Sequence, residues 1–400
     1  MRNAFPNNID RKNSVLKLNI LKLCISEGDC SLGDLSKQLG TSIPTTTKLV
    51  EELMEEGLIE DKGKSDANGG RRPSIYGLNP AVGHFIGIDI HSHDISVAVT
   101  DFKGNLIDFQ ETIPFSLEST EQSFRELCRI VKEYTSRLES LKSRTLAYGI
   151  NLAGRVNKDT GYCFSYFIGE DMPITSLLQD ELNAPVFVEN DSRAMTYGEY
   201  INGVADSETN MLFLNVGWGL GMGMIVDGKL SYGKSGFSGE IGHFPLLNND
   251  RICSCGKRGC LETGASGSAL HRMLMEKLRN GRASSLSVKF NEKEEITLDD
   301  ILLAVNEEDV LSIETVEEIG KALGTAIAGL INIFNPELVV LGGRVAAAKE
   351  YLLLPIKSAI QKHTLNMINQ DTTIKFSKLG RKAGPIGACM LSRSKLLGLM

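Results

Sequence analysis

The pattern of apolar residues changes near residue 80, and this change constrains the fold more than any other feature of the sequence. Before it, apolar side chains recur at helical spacing, as at Val15, Leu18, Leu21 and Ile25. After it, short apolar runs typical of buried strands alternate with amphipathic helical segments. The sequence therefore predicts a small helical domain joined to a larger α/β part, and 400 residues are enough for both.

The first 80 residues combine three helical segments with two short strands. We expect helices at 14–27, 31–39 and 42–57, followed by strands at 58–60 and 74–78. Ser42 is the expected N-cap of the third helix, and Pro44 is tolerated in its first turn. This order predicts a winged helix-turn-helix, whose third helix fits the major groove of DNA.

Six residues of this domain are candidates for DNA contact. Four lie at the start of the third helix and two in the polar tip between the strands: Thr45, Thr46, Thr47, Lys48, Arg71 and Arg72. Hydroxyls and a lysine suit phosphate and base-edge contacts, and the arginines could lie in the minor groove. Because residues 1–80 hold eleven basic and eleven acidic residues, charge does not exclude a module that contacts only protein. The order of elements favours DNA.

Composition and charge limit the function classes of the whole chain. The net charge of −7 excludes attraction of the whole protein to nucleic acid, so any DNA contact is local. No segment approaches the roughly 20 uninterrupted apolar residues of a membrane span. The N-terminal segment lacks the apolar core of a secretory signal. We therefore expect a cytoplasmic protein without membrane contact, whose eight cysteines are mostly reduced.

One imidazole and three thiols form a candidate metal site. The residues are His243, Cys253, Cys255 and Cys260. This ligand set is frequent at tetrahedral zinc sites, and the CxC and CxxxxC spacing lets a short loop fold its sulfurs around one ion. The alternative is a group of unpaired thiols. The sequence predicts a structural zinc ion.

Two further groups of polar residues are candidates for ligand binding. Asn190 and Asp191 follow an apolar strand, where an aspartate could act as a general base; the alternative is an Asx turn. Glu240, His243 and Glu262 flank the cysteine loop. Such a set can hydrogen-bond several hydroxyls of a sugar, or it can support the zinc ligands.

Two glycine-rich turns follow strands. Gly217 and Gly219 lie in the first, and Gly342 and Gly343 lie in the second. Glycines in such turns let the backbone approach a phosphate or nucleobase, although the same pattern is common in ordinary strand turns. We expect two halves, each a mixed sheet with crossover helices, with ligands in the cleft between them.

Together these motifs resemble the ROK family of repressors, open reading frames and sugar kinases. The resemblance covers nearly the whole chain, and the pair GEIGH and CSCGKRGCLE is its most specific part. It implies a two-lobed actin-like or hexokinase-like ATPase fold, with lobes at 81–200 and 201–383 and a last helix, about 384–400, that returns to the first lobe. With the domain at 1–80 attached, the chain resembles the regulator branch, which includes the N-acetylglucosamine and xylose repressors.

The resemblance also assigns roles to residues. In the family, the residues that match Asn190, Asp191, Glu240, His243 and Glu262 contact the sugar, and the match of Asp191 is the kinase base. His243 and the three cysteines of the loop match the family's zinc ligands. The resemblance thus implies a monosaccharide or sugar-phosphate effector and a structural zinc ion.

The chain departs from the family's kinases at both loops that approach the phosphates of ATP. Where kinases carry D-x-G-G-T, the sequence reads Asp89-Ile90-His91-Ser92-His93. Where they carry G-T-G, it reads Gly217-Trp218-Gly219. Phosphoryl transfer depends on positioning and neutralising those phosphates, so the four glycines of the two turns are expected to form a vestigial nucleotide site.

We therefore predict a sugar-responsive repressor of carbohydrate genes rather than an enzyme. It would bind operator DNA as a homodimer or homotetramer. The alternatives are an ATP-dependent sugar kinase with a fused DNA-binding domain, and a scaffold that binds another protein through its winged domain.

Overall fold

The chain forms two compact units. The structure, a computed structural model, describes residues 11–64, 73–138, 144–166 and 173–399. The first unit comprises residues 1–152, 158–189 and 388–400, and the second comprises 153–157 and 190–387. Among the described helices, none has the length and apolar character needed to cross a membrane.

A winged helix-turn-helix begins the first unit. Its elements are α1 (Arg11–Ser26), β1 (Cys30–Ser31), α2 (Leu32–Leu39), α3 (Ile43–Glu55), β2 (Ile59–Lys64) and β3 (Ser74–Leu78). The strands form an antiparallel sheet in the order β1-β3-β2. As predicted, Ser42 caps α3 by accepting from the Thr45 amide at 3.3 Å. Gly40 ends α2 in the left-handed conformation.

The rest of the first unit is a five-stranded sheet with helices. Its elements are β4 (His84–Ile90), β5 (Asp94–Asp101), β6 (Leu106–Pro114), α4 (Glu121–Arg137), β7 (Thr145–Leu152), α5 (Ile174–Leu182) and β8 (Val186–Asn190), the last residue of which belongs to the second unit. Strands β4, β5 and β6 are antiparallel, and β7 runs parallel to β4. The sheet order is β6-β5-β4-β7-β8.

The second unit repeats this arrangement. Its elements are α6 (Asp191–Asn202), β9 (Met211–Val216), β10 (Leu220–Val226), β11 (Lys229–Leu230), α7 (Gly267–Arg279), α8 (Ser287–Asn291), α9 (Leu298–Asn306), α10 (Val310–Phe334), β12 (Leu338–Gly342), α11 (Glu350–His363), α12 (Asn366–Asp371) and β13 (Thr373–Phe376). The sheet order is β11-β10-β9-β12-β13, with β9, β12 and β13 parallel. Helix α10 packs along α11 over an apolar core, and α6 packs on β9 and β10.

Helix α13 (Ala383–Leu396) contributes its residues from Ala388 onward to the first unit. There the Cys389 thiol lies 3.5 Å from the carbonyl oxygen of Phe85 in β4. The buried Arg393 donates to the carbonyl oxygen of Lys103 at 2.6 Å, in the turn between β5 and β6. The chain passes from the first unit to the second at residues 189 and 190, so α6 lies with the second unit.

The winged helix-turn-helix contacts the first sheet through the same turn. The Lys103 ammonium lies 2.9 Å from the carboxylate of Asp29, just before β1. The Asn79 side chain, between β3 and β4, donates to the carbonyl oxygen of Gly57 at 2.9 Å. The segment that joins β3 to β4 is short, since Leu78 ends β3 and His84 begins β4.

Candidate functional site

The start of α3 presents part of the predicted DNA-binding set. Thr45 and Lys48 are exposed and Thr47 is half-buried. Thr46, also a candidate for DNA contact, does not fit that role because it is completely buried. Its hydroxyl donates to the Ser42 carbonyl oxygen at 3.2 Å, on the helix face that also buries Leu49. Its role is therefore to pack α3. Arg71 and Arg72 lie outside the described residues.

The acidic end of α3 is partly neutralised within the module. Lys17 of α1 lies 2.8 Å from a carboxylate oxygen of Glu52 and 2.8 Å from one of Glu56. Both glutamates lie near the C-terminal end of α3, away from Thr45 and Lys48. Lys17 therefore offsets part of the negative charge at this end of α3, which lies away from the exposed ammonium of Lys48 at the helix start.

The structure brings the four candidate metal ligands together. The ligand atoms of His243, Cys253, Cys255 and Cys260 all lie within 4.8 Å of one another. The Cys255 and Cys260 sulfurs are 3.6 Å apart, and the Cys253 sulfur is 3.6 Å from His243 Nδ1. Tetrahedral zinc with Zn–S bonds of about 2.3 Å places its sulfurs about 3.8 Å apart. The donors and their spacing fit zinc.

Two of the thiols differ in their electrostatic surroundings. A backbone hydrogen bond from Lys257 lowers the pKa of Cys255, whereas burial raises the pKa of Cys260 to about 12. A bound dication favours the thiolate form of both sulfurs, so binding releases protons.

The two ring nitrogens of His243 face different neighbours. Its Nδ1 faces the sulfurs, and its Nε2 lies 3.9 Å from a carboxylate oxygen of Glu240, which is exposed. Glu262 is also next to the cluster, with one oxygen 3.8 Å from the Cys253 sulfur. Its other oxygen accepts from the Leu220 amide at 3.0 Å, which fixes the carboxylate against the start of β10. The two roles considered for His243 are therefore compatible, one for each nitrogen.

Asn190 and Asp191 form the second polar group, at the junction of β8 and α6. Asn190 caps α6 by accepting from the Arg193 amide at 3.1 Å, and its side-chain amide donates to Asp191 at 2.9 Å. Asp191 also accepts from the Ser192 amide at 2.7 Å and from the side chain of Asn215 at 3.2 Å. The carboxylate is therefore held in one orientation by donors from β8, α6 and β9.

The hairpin of β9 and β10 links these two polar groups. Asn215, next to Asp191, is near the end of β9, and Leu220, which donates to Glu262, begins β10. Gly217 and Gly219 lie in the turn between them. A Cβ atom on Gly219 would lie 2.9 Å from a Glu262 oxygen, so the turn passes close to that carboxylate.

Close packing explains the second glycine pair. A Cβ atom on Gly342 would lie 2.2 Å from the ring of Phe213, and one on Gly343 would lie 2.5 Å from the backbone of Val216. Gly343 also has a φ of +82°, which favours glycine. The parallel pairing of β12 with β9 thus requires both glycines whether or not a nucleotide binds.

The turn after β4 carries a histidine between two carboxylates. His91 Nε2 lies 3.1 Å from the completely buried Asp89, and its Nδ1 lies 2.9 Å from Asp94. Burial opposes the charge on the ring, but Asp89 and Asp94 outweigh it and raise the pKa of His91 to about 10. His91 is therefore an imidazolium at neutral pH, and it supplies the counter-charge of Asp89.

Comparison with known proteins identifies the larger part of the chain. Residues 85–395 match the model of the ROK family, and residues 14–60 match a winged helix-turn-helix DNA-binding family. The chain belongs to the ROK family. The xylose repressor of Caldicellulosiruptor bescii is 30% identical over 384 residues, which cover 95% of this chain and 96% of that protein.

Solved ROK structures match with and without the DNA-binding module. A ROK family transcriptional regulator, described as a homologue of the E. coli MLC protein, gives a TM-score of 0.81 at 26% identity and covers 96% of this chain and 98% of its own. A ROK glucokinase from Streptomyces griseus, solved with glucose and AMPPNP, gives 0.66 at 26% identity and covers 77% of this chain and 99% of its own. This ROK protein is thus a transcriptional regulator with a DNA-binding winged helix-turn-helix.

Asn215 belongs to the polar group of Asp191, although it is not among the residues predicted from the sequence. This residue is buried and reaches both Asp191 and the hydroxyl of Ser192, at 3.2 and 3.1 Å. A signal was present, because Asn215 is the one polar residue in the strand MLFLNV.

Proposed function

We propose that this ROK regulator is a sugar-responsive repressor of carbohydrate genes, present in the cytoplasm. It binds operator DNA through Thr45, Thr47 and Lys48 of α3 and through Arg71 and Arg72. It binds a monosaccharide or sugar phosphate through five residues: Asn190, Asp191, Glu240, His243 and Glu262. The observation that carries this proposal is the orientation of Asp191 and Glu262 by donors from both strands of one hairpin.

The chemistry of these residues suits a polyhydroxylated ligand. Each sugar hydroxyl donates one hydrogen bond and accepts others, so a sugar needs acceptors and donors in fixed positions. Asp191 and Glu262 supply charged acceptors that form the stronger class of hydrogen bond, and His243 Nε2 supplies a donor. Asn190 acts beside them by holding Asp191 through its side-chain amide. Asp191, which matches the base of the family's kinases, serves here to accept from a sugar hydroxyl.

A structural zinc ion held by His243, Cys253, Cys255 and Cys260 supports this site. The ion would fix the His243 ring and the short turn Ile241–His243, and so would position Nε2 and Glu240 for the sugar. Its binding is coupled to folding of the loop, because no preformed site exists in an unfolded chain.

Coupling to DNA follows from the connections of the chain. Asn190 and Asp191 stand where the chain passes from the first unit to the second. The first unit carries the DNA-binding module, fastened by the contact of Lys103 with Asp29. A sugar that binds one conformation of the chain around Asn190 and Asp191 more tightly than another increases the population of that conformation. In a homodimer, that shift changes the spacing of the two α3 helices on operator half-sites, and DNA is released.

A DNA-binding titration with and without saturating sugar tests the proposal. We expect xylose, glucose or N-acetylglucosamine to weaken operator binding of the wild type, with a coupling free energy of about 1–3 kcal/mol. Asp191→Asn should weaken the sugar effect, because it places an amide donor against the donors that now surround the carboxylate, while sugar-free DNA binding stays within twofold. Asp371→Asn, an exposed aspartate in α12 of the same unit, should change neither. Equal operator affinity with and without every sugar that binds the wild type would refute the proposal.

The second candidate is an ATP-dependent sugar kinase, favoured by the oriented carboxylate of Asp191. Two observations weigh against it. Trp218 stands where kinases have a threonine in the first glycine turn, and His91 occupies the turn after β4 where kinases have glycines. We expect a vestigial nucleotide site at Gly217, Gly219, Gly342 and Gly343 and no appreciable phosphorylation with ATP and magnesium. A turnover of roughly 1–100 s⁻¹ in an ADP-release assay would establish the kinase instead.

A further inference from the structure

Trp218 is the only tryptophan of the chain, and it lies at the tip of the hairpin that links the two polar groups. Its side chain is 53% exposed. A single exposed apolar side chain is ordinary on a protein surface. Trp218 differs because of its neighbours, which fix its position and place it beside the proposed sugar site.

The hairpin tip is held by the start of helix α7. The Gly267 amide donates to the Gly217 carbonyl oxygen at 2.8 Å, and the Ser268 amide donates to the Trp218 carbonyl oxygen at 2.9 Å. One turn further along α7, the His271 ring lies 5.7 Å from the indole, at an interplanar angle of 50°. His271 is itself fixed by a 2.9 Å hydrogen bond to the Ile296 carbonyl oxygen. The indole therefore packs against His271 and keeps about half of its surface open.

The residues on either side of Trp218 adjoin the two polar groups. A Cβ atom on Gly217 would lie 3.5 Å from the Asn215 side-chain oxygen, and Asn215 donates to Asp191. A Cβ atom on Gly219 would lie 2.9 Å from Glu262. Trp218 therefore stands between two residues that adjoin the polar groups, at the hairpin tip that α7 holds.

We propose that Trp218 and His271 form a second carbohydrate subsite, which takes the second ring of a neutral disaccharide or glycoside. The proposal rests on the proposed function, because the first ring occupies the sugar site of Asp191 and Glu262. The C–H face of a pyranose packs on the flat indole, and the indole N–H and the histidine ring can bond to its hydroxyls. A rigid aromatic ring offers this contact with little loss of side-chain freedom.

The charges around the hairpin favour a neutral ligand over a nucleotide, which could also stack on an indole. Three ionisable groups lie near the turn. Glu262 adjoins it directly and Asp191 adjoins it through Asn215, and both are carboxylates, which repel a polyphosphate. The third, His271, is already held by its hydrogen bond to the Ile296 carbonyl oxygen. Arg344 directly follows the second glycine pair, and its guanidinium lies 3.6 Å from the carboxylate of Asp299. A second sugar ring brings no charge into these surroundings.

The single tryptophan makes the test direct. Calorimetry and tryptophan fluorescence are measured on the full-length protein with three pairs of probes: xylose and xylobiose, glucose and cellobiose, and N-acetylglucosamine and N,N′-diacetylchitobiose. At least one disaccharide should bind about 3- to 10-fold more tightly than its monosaccharide, the range expected for one aromatic contact. That disaccharide should shift the emission of Trp218, and its monosaccharide should shift it less.

Three variants separate the subsite from the sugar site. Trp218→Ala should abolish the advantage of the disaccharide and leave the affinity for the monosaccharide within twofold, while Trp218→Phe should retain most of the advantage. Phe334→Ala, which removes a similarly exposed aromatic ring at the end of α10, should change neither affinity.

The outcomes distinguish this proposal from the proposed function. If no monosaccharide binds the wild type, the sugar site itself fails. If a monosaccharide binds but no disaccharide binds more tightly, or if Trp218→Ala keeps the advantage, the second subsite is refuted. Binding of ATP that shifts the emission of Trp218 and is lost in Trp218→Ala would make the indole a nucleotide platform and would also overturn it.

Discussion

Replacing His91 with glutamine should destabilise the first unit, because the imidazolium is the counter-charge of a buried carboxylate. Asp89 is completely buried in β4, and His91 Nε2 lies 3.1 Å from its carboxylate. Removing one partner of a buried ion pair costs about 3–5 kcal/mol. The His91 side chain is 31% exposed, and solvent screens the pair. We therefore expect a loss of about 2–3 kcal/mol for His91→Gln at pH 6.

The destabilisation should depend on pH in one direction. An imidazole in the unfolded chain has a pKa of about 6.5, and in the folded protein Asp89 and Asp94 raise the pKa of His91 to about 10. Because the folded state holds the proton more tightly, the stabilisation is complete below pH 6.5 and is lost as the pH rises toward 10. The difference between the wild type and His91→Gln should shrink over that range.

Urea unfolding, monitored by hydrogen-exchange mass spectrometry of β4 and β5, measures the free energy of unfolding of this unit at pH 6 and pH 9. His93→Gln, an exposed histidine two residues further on, is the matched control and should cost less than about 0.5 kcal/mol. Adding Asp89→Asn to His91→Gln should recover part of the loss, since it removes the buried charge. A loss that is equal at both pH values, or that is matched by His93→Gln, would show that the ion pair does not stabilise the unit.

Two further predictions concern zinc and DNA. Freshly purified protein should contain about one zinc ion per chain by elemental analysis, and less than half an equivalent would contradict the prediction. Cys255→Ser should lose the metal and melt at a lower temperature, whereas Cys128→Ser in α4 should keep the metal. Lys48→Ala should weaken operator binding and reduce the dependence of log affinity on log salt concentration by about one unit of slope. Lys22→Ala on the exposed face of α1 should change neither quantity. An unchanged slope for Lys48→Ala would show that Lys48 does not contact DNA.

Local signals in the sequence were enough for the DNA-binding module and for the metal cluster. Ser42 and Gly40 act through neighbours a few residues away, so their capping roles could be predicted from spacing alone. The cysteine loop is equally local. Thr46 was misassigned although its spacing carried a signal, because it precedes the buried Leu49 by three residues and Leu53 by seven and therefore shares their helix face.

Features that depend on distant residues could not be predicted in this way. The contact between Asn215 and Asp191 exists because α6 packs on β9 and β10, and nothing in either segment alone indicates it. The sequence likewise indicated that His91 replaces a glycine of the kinases, but not that a tight turn brings Asp94 to its second nitrogen. Gly342 and Gly343 suggested a nucleotide site, and the pairing of β12 with β9 supplies another reason for them.

The position of helix α13 has a consequence for biosynthesis. Its residues from Ala388 onward complete the first unit, and Arg393 holds the turn whose Lys103 contacts the DNA-binding module. A ribosome must therefore translate residues 190–387 before the first unit can close, which takes on the order of 10–40 s at about 5–20 residues per second. During that interval the winged domain has emerged and can fold, but the sheet that follows it still lacks the helix that packs on it. A nascent chain can thus present a DNA-reading helix before it has the support that would connect that helix to the rest of the protein.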